Sequence, residues 1–313
     1  MAEKIYSCPS RFGKTPVSFL KWVVLSLLLF AVTKLQAQSA ESITTENITF
    51  ASGGINLAGT IYKPKNTFAA VVVVHGSGQE PRMDSFATLL ARSGITVLTY
   101  DKRGVGASGG VYAGPEVGTN NIDSENLTLL ADDASVAVQT LHKYDKNLPI
   151  GLVGFSQAGW IIPLAANKNP DVDFMLLFSC PLITTLEQLR FQFYTNGRAD
   201  FWENHSEADA REHLQNDPDR YKFAATDPKT ALSNLSIPGL WIFGGKDIQI
   251  PVSLCIEQLN TLKDKGKPFE YTLFSALGHN TSSANDTMPI DISIHWIKRQ
   301  SLIVKNNKLK NKH

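Results

Sequence analysis

The period of the hydrophobic pattern changes along the chain, and the changes mark out its elements. Between residues 41 and 63 apolar positions alternate (Ile48 and Phe50, then Ile55, Leu57 and Ile61) around Gly53-Gly54. A period of two about a glycine pair predicts a hairpin of two antiparallel edge strands. Residues 64–67 lead to Ala69–Val74, an unbroken run of alanine and valine. A run with no polar face predicts a strand covered on both sides within a parallel sheet. The period then turns helical over residues 83–92, with Phe86, Leu89 and Leu90 on one face and Gly94 as the stop. Further buried strands are predicted at residues 95–100, 149–153, 174–178, 239–243 and 269–275. Helices are predicted at residues 125–142, 157–167, 252–263 and 290–299.

Strands alternating with helices predict an α/β fold, built by right-handed crossovers into a mainly parallel, doubly wound sheet with helices on both faces. Residues 182–235 break the alternation. Their period is helical, polar and aromatic (Phe191, Phe193, Tyr194, Phe201, Trp202, Tyr221, Phe223), and no buried strand is predicted there. This stretch reads as a helical lid inserted over the strand ends. The lysine-rich tail from Lys305 is expected to fray.

Composition changes this picture at the amino terminus. Lys4, Arg11, Lys14 and Lys21 precede an apolar run from Trp22 to Val32, and Leu35-Gln36-Ala37 offers a small residue before Gln38. A basic region, a short apolar core and a small residue make a secretory signal over residues 1–37, leaving a mature domain over residues 38–313. The run is about half the length a membrane span needs, so no stable span is expected once the signal is cleaved. The sequence is thus expected to be that of an exported bacterial protein, periplasmic or secreted. An uncleaved anchor is the alternative. Asn-x-Ser/Thr sites, among them Asn280, are read as unused. Loss of Cys8 with the signal leaves Cys180 and Cys255, each among apolar neighbours, read as two buried free thiols with a bridge as the alternative. A net charge of +1 over 313 residues offers no basic field for nucleic acid.

The candidate chemistry lies at Gly154-Phe155-Ser156-Gln157-Ala158-Gly159, a G-x-S-x-G between a predicted strand and a predicted helix. In that context a serine stands on a sharp, strained turn with its hydroxyl clear of the sheet, and the glycines let strand and helix approach. Two more candidates follow later strands, Asp247 in Gly244-Gly245-Lys246-Asp247 and His279 in Gly278-His279-Asn280. Ligands of open α/β sheets bind outside the carboxyl ends of the strands, where all three fall.

The segments His75-Gly76-Ser77-Gly78, residues 100–108 (Tyr-Asp-Lys-Arg-Gly-Val-Gly-Ala-Ser), the elbow, residues 244–247 and Gly278-His279 together resemble the α/β-hydrolase superfamily. The likeness is to bacterial exported esterases and acyl-peptidase-like hydrolases, and it spans roughly residues 43–299. It implies Ser156 as nucleophile, His279 as its base and Asp247 as the group that orients the imidazole. It also implies two backbone donors for the oxyanion. One is the N–H of Gln157. The other is the N–H of Ser77, with Gly78 as second choice.

Alternatives stay open at several points. Asp200 or Asp227 in the lid could stand in for Asp247. His75 more naturally shapes the oxyanion loop than acts as base. Asp101 and Arg103 are read as structural salt-bridge partners before substrate ligands. Lid aromatics form an acyl pocket or pack together, and Glu187, Asp200, Glu203 and Glu207 bind a substrate amine or make a solvated face. No cofactor or metal is called for, since no metal-ligand spacing or dinucleotide fingerprint occurs. The expected partner is a small acyl ester or a short peptide. A non-catalytic binding protein and an acyltransferase are the other classes this fold allows.

Overall fold

The computed structural model describes residues 42–114, 122–217, 224–283 and 285–310. The expected signal over residues 1–37, Cys8, and the lid residues Tyr221 and Phe223 lie outside the described residues. From Ile43 onward the chain forms one unit. Its eight strands are β1 (Thr44–Ser52), β2 (Ile55–Lys63), β3 (Ala69–Val74), β4 (Ile95–Tyr100), β5 (Ile150–Phe155), β6 (Phe174–Phe178), β7 (Gly239–Gly244) and β8 (Phe269–Phe274). They lie in the order β1-β2-β4-β3-β5-β6-β7-β8. All pairs from β4 to β8 are parallel; β1 with β2 and β2 with β4 are antiparallel. From β3 the chain first steps outward to β4 and then returns to place β5 on the other side of β3. That reversal opens a crevice at the carboxyl ends of β3 and β5.

The unbroken apolar run of β3 has its explanation in the layers. Ala70, Val72 and Val74 face one core and Ala69, Val71 and Val73 the other. The first core is closed by α2 (Ser124–Tyr144), α3 (Ala158–Lys168), α7 (Pro228–Asn234) and α8 (Val252–Asp264). The second is closed by α1 (Asp84–Arg92) and α9 (Met288–Lys310). Side-chain caps set several helix starts: Asp123 accepts from the Glu125 N–H, and Asp227, with Pro228 at the first position, accepts from the Lys229 N–H.

Between β6 and β7 run α4 (Thr185–Thr195), α5 (Phe201–Asn204), α6 (Glu207–Asn216) and α7, with no strand among the described residues of this span. The first three carry their own small core of Phe191, Phe201, Ala210 and Leu214. Capping boxes start α4 (Thr184 with Glu187) and α6 (Ser206 with Asp209).

Three expectations are corrected. Of the two hairpin strands only β1 lies at an edge, because β2 pairs on its far side with β4. In α1 the buried face is Ala87, Leu90 and Ala91, and Leu89 is exposed. The last helix does not stop at residue 299: α9 continues to Lys310, through the lysine-rich stretch expected to fray. There Lys308 reaches Asp173, 3.3 Å away, and the closing lysines suit the negative end of the helix dipole. No helix among the described residues is long and apolar enough to cross a membrane.

Candidate active site

Ser156 follows β5 directly and has φ 47°, a backbone region few non-glycine residues occupy. The turn is pinned on both sides. The Ser156 N–H donates to the Phe178 carbonyl at 3.1 Å, and the Ser156 carbonyl accepts from the Gly159 N–H at 2.9 Å. The motif glycines answer to packing. A Cβ on Gly154 would come within 2.4 Å of the Ala158 Cβ, and one on Gly159 within 2.6 Å of the Pro181 carbonyl oxygen. A larger residue would push β5 away from α3 and β3 at Gly154, and α3 away from the loop after β6 at Gly159.

Asp247 lies in the turn after β7 with its side chain fully buried. Its Oδ1 accepts from the backbone N–H groups of Gln249 at 2.7 Å and Ile250 at 3.1 Å. Its Oδ2 is 2.7 Å from the Nδ1 of His279, in the loop after β8. A carboxylate only accepts, so Nδ1 carries a proton in this pair, and in the neutral ring Nε2 is the acceptor. Ser156 and His279 line one cleft of about 230 Å³ with Gly76, Ser77, Gly78 and Glu80, and Gln249 closes it beside them. The five candidates thus gather at one sheet edge: Ser77 after β3, Ser156 and Gln157 after β5, Asp247 after β7 and His279 after β8. Gln157 stands at the amino end of α3, where N–H groups have no partner within the helix and the dipole favours negative charge.

His75 is buried with its ring edge-on to Tyr100, 5.0 Å between centroids. Burial, and then the charge of Lys102, push its pKa down to about 3. A ring held neutral away from the cleft shapes the loop that follows it. Asp101 pairs with Arg82 at 2.8 Å and Arg103 with the buried Asp133, so that strand end is structural. Burial opposes ionisation of Asp101, but its hydrogen bonds from Arg82 and the Ala107 N–H hold it down to about 2.

Neither rival acid reaches the cleft. Asp227 caps α7, and Asp200 faces Asn204. The aromatics of the inserted helices pack together, with Phe191 against Phe201 and Tyr194 stacked on His213. Phe193 points outward and is 60% exposed. Glu187 caps α4 and Glu207 meets Ser253. The carboxylate that does line the cleft is Glu80, which was not singled out from the sequence. Cys180 and Cys255 are buried free thiols, and burial raises both.

Ser179 was also missed. It follows β6 as Ser156 follows β5, with the same φ of 47°. Its hydroxyl lies 2.9 Å from that of Thr281 on the His279 loop. A signal was present: both strands end Phe-Ser, and the rings of Phe155 and Phe178 stack at 5.6 Å.

Comparison with known proteins agrees with the fold. A family model described as "Serine aminopeptidase, S33" matches residues 65–241, more than half of the chain. Esterase EstD of Thermotoga maritima is 24% identical over 280 residues, covering 79% of this chain; the chain spans 65% of that relative's length. Among solved structures, Pyrococcus horikoshii acylaminoacyl peptidase superposes with TM-score 0.58 at 17% identity, over 86% of this chain and 42% of that one. Pyrococcus furiosus esterase Pf2001 superposes with TM-score 0.56 at 17% identity, over 84% and 91% of the two chains. At such identities the structural likeness is one of fold, the α/β-hydrolase fold. With its sheet order, its elbow and the family match over residues 65–241, the chain belongs to the family described as "Serine aminopeptidase, S33", a hydrolase family of the α/β-hydrolase superfamily.

Proposed function

We propose that the protein hydrolyses carboxylic esters with short acyl groups through an acyl-enzyme on Ser156. His279 takes the hydroxyl proton through Nε2 and returns it to the leaving group. Asp247 holds the ring in that tautomer and stabilises its cation. The N–H groups of Ser77 and Gln157 receive the oxyanion. The observation that carries this reading is the 2.7 Å bond between His279 and a buried, doubly backbone-bonded Asp247, at a cleft that also holds the strained Ser156. Short acyl groups are favoured by the cleft's size, about 230 Å³ against roughly 300–1,000 Å³ for sites that take drug-sized ligands. The name of Esterase EstD supports an ester as the substrate.

Glu80 favours a second reading, a peptidase of short substrates. Its carboxylate in the cleft offers a partner to a substrate ammonium group, and the acylaminoacyl peptidase shares the fold. The deciding experiment runs p-nitrophenyl esters of graded length beside aminoacyl-p-nitroanilides on purified protein. Ester turnover that falls with acyl length and vanishes in Ser156→Ala supports the first reading. Anilide turnover of comparable efficiency moves the assignment to a peptidase. No turnover together with no fluorophosphonate labelling of Ser156 would sink both.

Export, with the mature chain starting near Gln38, is part of the proposal and rests on the basic and apolar pattern of residues 1–37. Amino-terminal sequencing of periplasmic and secreted material tests it.

A further inference from the structure

We infer that Lys102 is a positioning residue for the oxyanion donors, acting through the peptide units that carry them. The inference rests on the Ser156 acyl-enzyme reading. Lys102 follows β4 by two residues and is buried behind the loop after β3. Its ammonium donates to the Gly76 carbonyl at 2.6 Å and to the Gln157 side-chain oxygen at 3.0 Å, with the Gly78 carbonyl at 3.5 Å. A single charge thus reaches both halves of the proposed oxyanion hole, the loop that contains Ser77 and the residue that follows the nucleophile.

The geometry of the peptide bond turns this contact into an aiming device. In a trans peptide the C=O of one residue and the N–H of the next point in opposite directions. The Gly76 carbonyl faces Lys102, so the Ser77 N–H of the same unit faces away from it. The neighbouring units are fixed too. The Gly76 N–H donates to Glu80 Oε2 at 3.0 Å, and the Ser77 carbonyl accepts from the Tyr112 hydroxyl at 3.0 Å. The Lys102 N–H itself donates to the Glu80 carbonyl at 3.2 Å, which ties the loop to the end of β4. Three successive peptide units are therefore held at their polar atoms, with a glycine at the centre that would otherwise turn freely.

The charge does more than a neutral donor would. A carbonyl that accepts from an ammonium leaves its amide more polarised, so the N–H on the far side donates more strongly. The effect is present before substrate arrives and requires no reorganisation when the oxyanion forms. It selects the tetrahedral state over the planar ester, so it belongs in kcat and not in KM.

The test replaces Lys102 by methionine, similar in length and without charge, and normalises rates to active sites titrated with a fluorophosphonate. Lys102→Met is expected to lower kcat on p-nitrophenyl acetate about 10- to 100-fold with KM within about twofold, below the loss for deleting a donor outright. Affinity for a trifluoromethyl ketone, which places an oxyanion in the hole, is expected to fall in parallel. Tyr112→Phe releases the Ser77 carbonyl and is expected to lower kcat severalfold at constant KM; Lys102→Gln, which keeps a donor without the charge, takes the place of Lys102→Met if that variant does not fold. Unchanged kcat per titrated site would overturn the inference, and so would a loss confined to KM or to the fraction of titratable sites. Wild-type protein without Ser156-dependent labelling would overturn the acyl-enzyme reading as well, whereas labelled wild type beside an unimpaired Lys102→Met would overturn this inference alone.

Discussion

The indole N–H of Trp202 donates to the backbone carbonyl of Asp247 at 2.7 Å. Thr195 donates to the next carbonyl, that of Ile248, also at 2.7 Å, and the Gln188 amide donates to that of Gln249. The inserted helices therefore grip the acid-bearing turn from its outer side. Their hydrogen bonds hold the turn that sets Asp247 beside His279.

Trp202→Phe keeps most of the ring packing and deletes one bond. We expect a loss of about 1 kcal/mol in stability, the ordinary worth of such a bond, and a severalfold drop in kcat. Thermal unfolding and titrated kinetics check both. Full stability with full activity would mean that the grip does not matter.

Asp247→Asn should leave the fold standing while reducing kcat by about 10⁴, because an amide no longer enforces the Nδ1-protonated ring. KM should change little. A loss under tenfold would show that another group orients His279.

The strain at Ser156 separates two inactive variants. Ser156→Ala keeps a Cβ at φ 47°, whereas Ser156→Gly does not. The left-handed region costs a residue with a Cβ roughly 1–2 kcal/mol, partly offset by the unfolded-state freedom of glycine. The glycine variant should therefore unfold at the higher temperature. The reverse order would argue that the elbow stores no strain.

Stability should fall with pH through His75. Its ring stays neutral in the fold down to about 3, against 6.5 for an unperturbed histidine. Between those values the unfolded chain holds more protons, so this contribution is fully present above 6.5 and drains away as pH drops toward 3. The amount is on the order of a few kcal/mol. His75→Gln should flatten the dependence of Tm on pH from 6.5 to 4 relative to wild type, and an unchanged slope would refute the assignment.

The parallel part of the fold was legible because its strands are covered on both faces. Phe174–Phe178 was located to the residue, since a continuous apolar run between polar turns admits one strand. What failed was information that pairing creates. Nothing local in Ile55–Lys63 says that β4 will join its second edge, and nothing in the lysine-rich tail says that Asp173 lies within reach of Lys308. At the site, Ser156, Asp247 and His279 were readable because each sits in a short motif just after a strand. Lys102 and Glu80 were not, although Lys102 stands inside the segment 100–108 and Glu80 two residues past His75-Gly76-Ser77-Gly78. A lysine between Asp101 and Arg103 looks like one more surface charge until the fold encloses it. Glu80 matters only through the loop that brings its carboxylate back to the Gly76 N–H.

The proposed base is delivered by the last strand of the sheet, and β8 pairs with β7 alone. A chain that stops before residue 279 holds no imidazole at the cleft, and it also lacks α9, which closes the second core. The proposed chemistry and one wall of the fold are thus carried by the same carboxyl-terminal segment, and a chain cut short there loses both together.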